Sequence, residues 1–278
     1  MRVFIDQTAR NVSLQNIPRR IISLVPSQTE LLFGLGLEEE VVGITKFCVH
    51  PSAWFSKKTK VGGTKQLKLE IITDLKPDLI IANKEENVKE QVEWLAEKFP
   101  VWVSDVNSLE DAYDMIGSIG GMTNRVVEAG QLVSRIRQNF ASLPFHASKP
   151  GLDPDDRYSL HPRPRTAYLI WRNPYMTVGG DTFIHHMLET AGFDNVFKDR
   201  KRYPEITLNE LEELGCELIL LSSEPFPFGP KHVTEIKDAG TQAKLLLVDG
   251  EMFSWYGSRL LYAPHYFRNL NKMIGFNV

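Results

Sequence analysis

The chain has few features that mark a particular chemistry. Only two cysteines stand among its 278 residues, Cys48 and Cys216, and their spacing matches no disulfide framework. This sparing use of cysteine is typical of a reducing compartment. Charge is nearly balanced, with 32 lysines and arginines against 35 aspartates and glutamates. Because nucleic-acid binding requires an excess of positive charge, we expect no nucleic-acid partner.

Long apolar runs are missing as well, so we expect no insertion into a membrane. The first twenty residues carry a polar or charged residue every few positions, unlike the apolar core of a secretory signal. We therefore predict a cytoplasmic location for the chain as printed, and a periplasmic one if a leader has been omitted. Complete glycine-rich phosphate loops are also absent, because VGGTKQ (61–66) and VGGD (178–181) lack the full spacing.

What the sequence does contain is an alternation of short buried runs with helical patterns. Strands are predicted at 20–25, 41–45, 78–82, 101–105, 166–171, 216–222 and 244–249. Such an alternation is typical of an α/β fold with a mostly parallel sheet covered by helices. Ser27 with Glu30, and Thr207 with Glu210, have the spacing of capping boxes and predict two helix starts.

The plan of the first half recurs in the second. ITDLKPDLIIA, from residue 72, aligns with LEELGCELILL, from residue 211, and both combine the end of a helix with a buried strand. We therefore predict two related α/β lobes, residues 1–106 and 146–278, with a ligand cleft between them. The segment between the lobes (107–145) is predicted to form one long helix, loosened at its paired glycines 120 and 121. Proline and charge predict a mobile loop at 146–165.

The loops that follow the strands contain the candidate ligand contacts, because ligands of parallel sheets lie beyond the carboxyl ends of the strands. In the first lobe these residues are Phe47, Cys48, His50, Lys84, Glu85 and Glu86. In the second they are Trp171, Arg172, Tyr175, Glu224, Phe226, Phe228, Phe253, Trp255, Tyr256 and Arg259. The second set is rich in aromatic rings, which suit a large, flat, partly apolar ligand.

The stretch TKFCVHP (45–51) brings a thiol and an imidazole together. Pro51 favours an extended His50, and side chains two residues apart in an extended segment point the same way. We therefore expect Cys48 and His50 both to face the cleft. Three interpretations remain open: they line a pocket, they ligate the cobalt or iron of a bound chelate, or they form a Cys–His nucleophile.

Several segments together resemble the class III substrate-binding proteins. They are RIISLVPSQTELLFGLGL, VVGIT, VGGTK, LEIITDLKPDLIIA and, after the predicted long helix, YLIW and GGDTFIHHMLETAGFDNVF. That family serves ATP-driven importers of cobalamin, haem and iron chelates, and its cobalamin-binding members are the most similar. The resemblance implies a non-catalytic, monomeric binding protein without an intrinsic cofactor. Its ligand would be a corrinoid, a tetrapyrrole or another metal chelate, and its partner the permease of an ABC transporter.

Carried over by position, the resemblance assigns roles to particular residues. One wall of the cleft would contain Cys48, His50, Thr64, Lys65, Lys84 and Glu85, and the other Trp171, Phe226, Phe228 and Trp255. The Trp255 ring is expected to be half exposed without ligand. Glu70 matches a glutamate that docks on arginines of the transporter, and the second docking position falls near Ser254, where no acid stands.

Three other functions stay open at this point. One is a cytoplasmic relative that keeps the pocket and has lost the delivery role. Another is a cytoplasmic enzyme that acts on such a ligand through Cys48, His50 or Glu85. The third is a regulatory module that senses the ligand and binds another protein.

Overall fold

A computed structural model describes residues 1–143 and 163–275. The chain divides into two units, of which the first contains Met1–Ile136 and Tyr256–Arg259. The second contains the rest of the described chain. The predicted mobile loop at 146–165 lies almost wholly outside the described residues. No helix within the described ranges is both long enough and apolar enough to cross a membrane.

The first unit is built on a five-stranded parallel sheet. Along the chain its elements are β1 (Arg2–Ile5), β2 (Asn11–Leu14), β3 (Ile21–Ser23), α1 (Pro26–Gly34), β4 (Val41–Ile44), α2 (Ser52–Lys57), β5 (Thr59–Lys60), α3 (Leu69–Asp74), β6 (Leu79–Asn83), α4 (Lys89–Ala96), β7 (Val101–Ser104), α5 (Leu109–Thr123) and α6 (Val126–Ala141). The last residues of α6, from Arg137 onward, belong to the second unit. The strand order is β5–β4–β3–β6–β7, and β1 and β2 form a separate antiparallel hairpin. Both faces of the sheet are covered, so the central strands β3 and β6 are buried along their whole length.

The second unit is built on a four-stranded parallel sheet. Its elements are β8 (Arg165–Leu169), β9 (Tyr175–Met176), α7 (Phe183–Thr190), β10 (Asp194–Asn195), β11 (Glu205–Ile206), α8 (Leu208–Glu213), β12 (Leu218–Ser222), α9 (Pro230–Asp238), β13 (Lys244–Val248), α10 (Glu251–Ser254) and α11 (Ala263–Ile274). The order is β10–β8–β12–β13, and β9 pairs with β11 in an antiparallel ribbon. Ala167, Ile219 and Leu221 on the strands pack with Leu211 of α8 and Ile236 of α9.

The two units share a repeated helix–strand segment, as predicted. Helices α3 and α8 have the same length, strands β6 and β12 have the same length, and the starts of both pairs lie 139 residues apart. The mixed α/β class with two related lobes is therefore confirmed. Of the two predicted capping boxes, that of Thr207 and Glu210 is present. The other is wrong, because α1 begins after Val25 and has no side-chain cap.

The single long helix predicted between the lobes is two helices. Helix α5 ends at Thr123, and Asn124 adopts the left-handed conformation with φ 60° and ψ 40°. Asparagine accepts this conformation more readily than most residues, so it is a common helix terminator. Gly120 lies inside α5, where an added Cβ would stand 2.4 Å from the Cβ of Ala129 in α6. The glycine therefore permits the two helices to approach each other closely.

Candidate functional site

Aromatic rings cluster at the point where the strand order of the second sheet reverses. In the sheet, β8 pairs with β10 on one side and with β12, which comes later in the chain, on the other. Ligands of such a sheet are expected between the loops that follow β8 and β12. Trp171 follows β8, and its ring centroid lies 5.7 Å from that of Phe226 after β12. Phe226 in turn lies 4.8 Å from Phe228. The structure thus joins three predicted residues, of which Trp171 remains 41% exposed, whereas Phe228 is 7% exposed and packs in the core of the second unit.

His232 completes this cluster, although few features of the sequence indicate its role. Its ring centroid lies 5.2 Å from Phe226 and 5.5 Å from Phe228. The Nδ1 atom accepts a hydrogen bond from the backbone N–H of Gly229, so the imidazole also holds the start of helix α9. A histidine three residues after a glycine that precedes a helix was the only local signal. We name Trp171, Phe226, Phe228 and His232 the ring cluster.

Arg172 and Tyr175 converge on a residue that sequence reasoning missed. The Arg172 guanidinium donates to Oε1 of Glu235 through Nε at 2.9 Å and through a terminal nitrogen at 2.7 Å. The Tyr175 hydroxyl donates to the same oxygen at 3.0 Å. The hydrogen bond from Arg172 lowers the pKa of the Glu235 carboxyl, which remains ionised. Glu235 therefore compensates the positive charge of Arg172.

Trp255 is more enclosed than predicted. Its side chain is only 6% exposed, so the expectation of a half-exposed ring is wrong. The indole Nε1–H donates to Oε1 of Glu224 at 2.9 Å, and the hydroxyl of Ser254 donates to the same oxygen at 2.6 Å. A buried indole normally needs such an acceptor.

In the first unit, buried asparagines organise the loop after β6. The Oδ1 atom of Asn83 accepts from the backbone N–H groups of Glu85 at 2.8 Å and Glu86 at 3.0 Å. Asn87 donates to the carbonyl of Thr64 at 3.1 Å. Lys65 reaches the carbonyl of Glu85 at 2.6 Å, so three predicted residues (Thr64, Lys65 and Glu85) are joined. Sequence reasoning missed both asparagines, although polar residues that end a buried strand and enclose a turn are a recognisable signal.

Phe47 and Lys84 lie at the surface of the same unit. The Phe47 side chain is 50% exposed, and the Lys46 ammonium stands 5.0 Å from its ring centroid. Lys84 forms an ion pair with Asp105 and keeps 60% of its side chain exposed. Both residues are therefore accessible from solvent.

Cys48 does not face outward beside His50. Residues 45–48 form a turn, in which the Cys48 N–H donates to the Thr45 carbonyl at 3.1 Å, and not the predicted extended segment. Cys48 is fully buried, and its sulfur accepts a hydrogen bond from the Thr29 hydroxyl at 3.0 Å. Burial raises the pKa of the Cys48 thiol. A buried thiol of high pKa is a poor nucleophile and a poor metal ligand, whereas His50 stays partly exposed.

Tyr256 and Arg259 belong to the first unit, although sequence order placed them in the second lobe. Arg259 pairs with Glu30 of α1, with Nε 3.0 Å from Oε2 and a terminal nitrogen 2.7 Å from Oε1. The Tyr256 hydroxyl lies 3.4 Å from Oε1 of Glu86. The role predicted for Arg259 in ligand binding therefore competes with a structural ion pair.

Glu70 is exposed in the first turn of α3. The 139-residue offset between α3 and α8 makes Asn209 its equivalent in the second unit. Ser254 is instead the last residue of α10, outside this repeat. The repeat thus pairs Glu70 with Asn209, which is not acidic, and a docking role for Glu70 stays a prediction.

Within the described parts of the chain, no three histidine, cysteine, aspartate or glutamate side chains are grouped to hold a metal ion.

Comparison with known proteins agrees with this architecture. A family model described as periplasmic binding protein matches residues 21–239. The vitamin B12-binding protein of Vibrio vulnificus is 28% identical over 204 residues, which cover 72% of this chain and 70% of that protein. An uncharacterised ABC transporter substrate-binding lipoprotein of Bacillus subtilis is 26% identical over 223 residues, which cover 77% of this chain and 67% of that protein.

Among solved structures, the molybdate periplasmic binding protein MolA of a Haemophilus influenzae ABC transporter superposes with a TM-score of 0.77. The superposition covers 99% of this chain and 91% of that one. Sequence identity is only 17%, so this likeness concerns the fold.

Proposed function

Because the chain belongs to the periplasmic binding protein family, we propose that it binds a corrinoid, a tetrapyrrole or another metal chelate and delivers it to an ATP-driven importer. The observation that carries this proposal is the ring cluster at the strand-order reversal of the second sheet. Aromatic faces at such a position suit a flat ligand with a large apolar area. The similarity to a vitamin B12-binding protein favours a corrinoid within this class.

The charges around the ring cluster also favour a chelate over a small oxyanion such as molybdate. An oxyanion of that size is held by donors and positive charges directed at it. Arg172 is the cation nearest in sequence to Trp171, and two of its nitrogens donate to Glu235. Rings supply dispersion and apolar contact, which a corrin or porphyrin face uses and a small oxyanion does not.

We further propose that the protein performs no catalysis. An enzyme acting on such a ligand would use Cys48, His50 or Glu85. The thiol of Cys48 is buried with a raised pKa, and the backbone of Glu85 is tied to Asn83 and Lys65. Neither arrangement resembles a nucleophile placed beside a base.

Delivery to an importer requires a position on the outer side of the cytoplasmic membrane. The lipoprotein relative and the periplasmic structural neighbour support that position for this chain. A cytoplasmic location is the alternative. Fractionation of the native host with an antibody against the protein distinguishes them: recovery in the soluble cytoplasm would overturn the delivery role and leave ligand binding intact.

The binding proposal is tested by titration of the purified protein with cyanocobalamin, haemin, a ferric hydroxamate siderophore and molybdate. We expect quenching of tryptophan fluorescence or a shift of a visible band with at least one of the three chelates. Trp171→Ala is expected to weaken that binding by about 2–4 kcal/mol, the range for a central aromatic anchor. Trp94→Ala on α4 is the matched control and leaves the affinity unchanged. Absence of a response to all three chelates would overturn the proposal.

A further inference from the structure

Glu224 occupies an unusual place in the second unit. It follows strand β12, yet its carboxylate lies against the turn that follows β13. One oxygen, Oε1, accepts both the indole N–H of Trp255 at 2.9 Å and the hydroxyl of Ser254 at 2.6 Å. Trp255 is 6% exposed, so this pair is shielded from water.

A glycine makes this approach possible. A Cβ on Gly250 would stand 2.3 Å from the Ser222 hydroxyl oxygen and 2.7 Å from Cγ of Glu224. The Gly250 N–H donates to the Ser223 hydroxyl at 2.9 Å, and the Ser223 N–H donates to the Val248 carbonyl at 3.0 Å. The loop after β12 and the turn after β13 are therefore fastened together, with Glu224 between them.

The electrostatic surroundings of this carboxylate are acidic. Burial raises its pKa, the Ser254 hydrogen bond lowers it in part, and the charges of Glu251 and Asp249 raise it further. The buried Tyr168 hydroxyl also interacts with it. Burying a carboxylate in such surroundings costs free energy unless hydrogen bonds replace its hydration.

We propose that Glu224 is the positioning residue for Trp255 and that chelate affinity depends on this hydrogen bond. The dependence of chelate affinity on this bond rests on the proposed function; the positioning of Trp255 does not. An indole has one donor, its N–H. When that N–H donates to a carboxyl group held by the loop after β12, the Trp255 ring is held in one orientation.

The first experiment needs no ligand. In a ¹H–¹⁵N spectrum the Trp255 indole signal, assigned with Trp255→Phe, is expected to move as the pH is varied across the titration of Glu224. In Glu224→Gln the same signal stays in place, because the amide oxygen still accepts the bond and does not titrate. The Trp171 indole serves as the control for the substitution, and its signal is expected to be the same in the wild type and in Glu224→Gln at any one pH. A Trp255 signal that is pH-independent in the wild-type protein, or equally pH-dependent in Glu224→Gln, would overturn the positioning role.

The second experiment measures cyanocobalamin affinity. Glu224→Gln is expected to stay within about threefold of the wild type, and Glu224→Leu, which removes the acceptor, to lose at least tenfold. Equal affinity of Glu224→Leu and the wild type would overturn the dependence on this bond. If Glu224→Leu does not fold, Trp255→Phe is measured in its place, because it keeps an aromatic ring and removes the N–H. The expected loss is again at least tenfold, and an affinity equal to that of the wild type would again overturn the dependence on this bond. If the wild type binds none of the chelates, the proposed function and the dependence of affinity on this bond both fail, and the spectrum still decides the positioning role.

Discussion

Glu30 and Arg259 are separated by 229 residues in sequence and form a two-point ion pair, with N–O distances of 3.0 and 2.7 Å. The side chains keep only 19% and 13% of their surface exposed. The pair fixes residues 256–259 against helix α1, where the Cβ of a residue at Gly257 would stand 3.1 Å from the Ser27 carbonyl oxygen. Ion pairing thus accounts for a glutamate that was predicted to cap a helix and for an arginine that was predicted to bind ligand.

Removing one member of this pair is expected to destabilise the protein. Glu30→Ala leaves a largely buried guanidinium without its carboxylate, which costs about 1.5–3 kcal/mol. Urea denaturation followed by circular dichroism measures the loss. Glu93→Ala is the control, because the Lys89–Glu93 pair is 81% and 57% exposed and such pairs contribute less than about 0.5 kcal/mol. Equal effects of the two substitutions would contradict the structural role of the Glu30–Arg259 pair.

The two predicted capping boxes give a matched comparison. Thr207→Ala removes a hydroxyl that accepts the Glu210 N–H and is expected to cost about 1 kcal/mol. Ser27→Ala removes a buried hydroxyl that has no hydrogen-bond partner among the described residues, so stability is expected to be unchanged or slightly higher. Thermal denaturation of both variants measures the two changes in stability. A larger loss in Ser27→Ala than in Thr207→Ala would show that the sequence pattern, and not the structure, identified the cap correctly.

Glycines 130 and 180 are expected to respond to alanine in opposite directions. A Cβ at Gly180 would lie 2.0 Å from the Lys198 carbonyl oxygen, so the backbone must move and we expect a loss of about 1–3 kcal/mol. Gly130 is exposed in α6, and an added Cβ meets nothing within 4 Å. Gly130→Ala is therefore expected to stabilise the protein by about 0.5–1 kcal/mol. Destabilisation by both substitutions would argue against the described course of α6.

The buried carboxyl of Glu224 is expected to make stability depend on pH. Burial raises its folded-state pKa above the value of an unfolded glutamate, about 4.3. Its contribution to stability is fully present below the unfolded pKa and is lost as the pH rises through the folded one. Glu224→Gln has no proton to release, so its stability relative to the wild type is expected to increase over that interval. Denaturation midpoints at several pH values measure this, and parallel curves for the two proteins would contradict it.

The position of Cys48 is tested by thiol chemistry. A buried thiol with a raised pKa is expected to react with a disulfide reagent far more slowly in the native protein than after denaturation. Cys216, which is partly exposed but has a pKa raised to about 11 by burial, is the internal comparison. Reaction of the Cys216→Ala variant at the rate of the unfolded chain would place Cys48 at the surface, as the sequence pattern first suggested.

The architecture was predictable from local patterns, because the pattern of apolar and polar residues that specifies a strand or a helix spans only a few neighbouring residues. All seven predicted strands are present, with ends displaced by no more than two residues. The alignment of 72–82 with 211–221 marked a helix–strand unit that the structure repeats at constant spacing. The hairpin of β1 and β2 was missed, because much of its surface is exposed and its pattern is therefore mixed.

The site was less predictable, because its residues depend on contacts distant in sequence or on a single turn. Nothing near Arg259 indicates a partner on α1. The turn at 45–48 directs Cys48 inward, where its N–H donates to the Thr45 carbonyl and its sulfur accepts from the Thr29 hydroxyl. An asparagine such as Asn124 can indicate the end of a helix, but the break between α5 and α6 was predicted at the paired glycines 120 and 121.

The first unit is discontinuous in sequence, which has a consequence for any attempt to produce it separately. A gene truncated after α6 would encode all five strands of the first sheet and lack Tyr256–Arg259. Glu30 would then stand in a site shaped for a guanidinium that the fragment does not possess, and the surface along α1 that Gly257 covers would be open to water. A fragment that represents this unit faithfully must rejoin those four residues by a designed connection, since no single cut in the chain yields it.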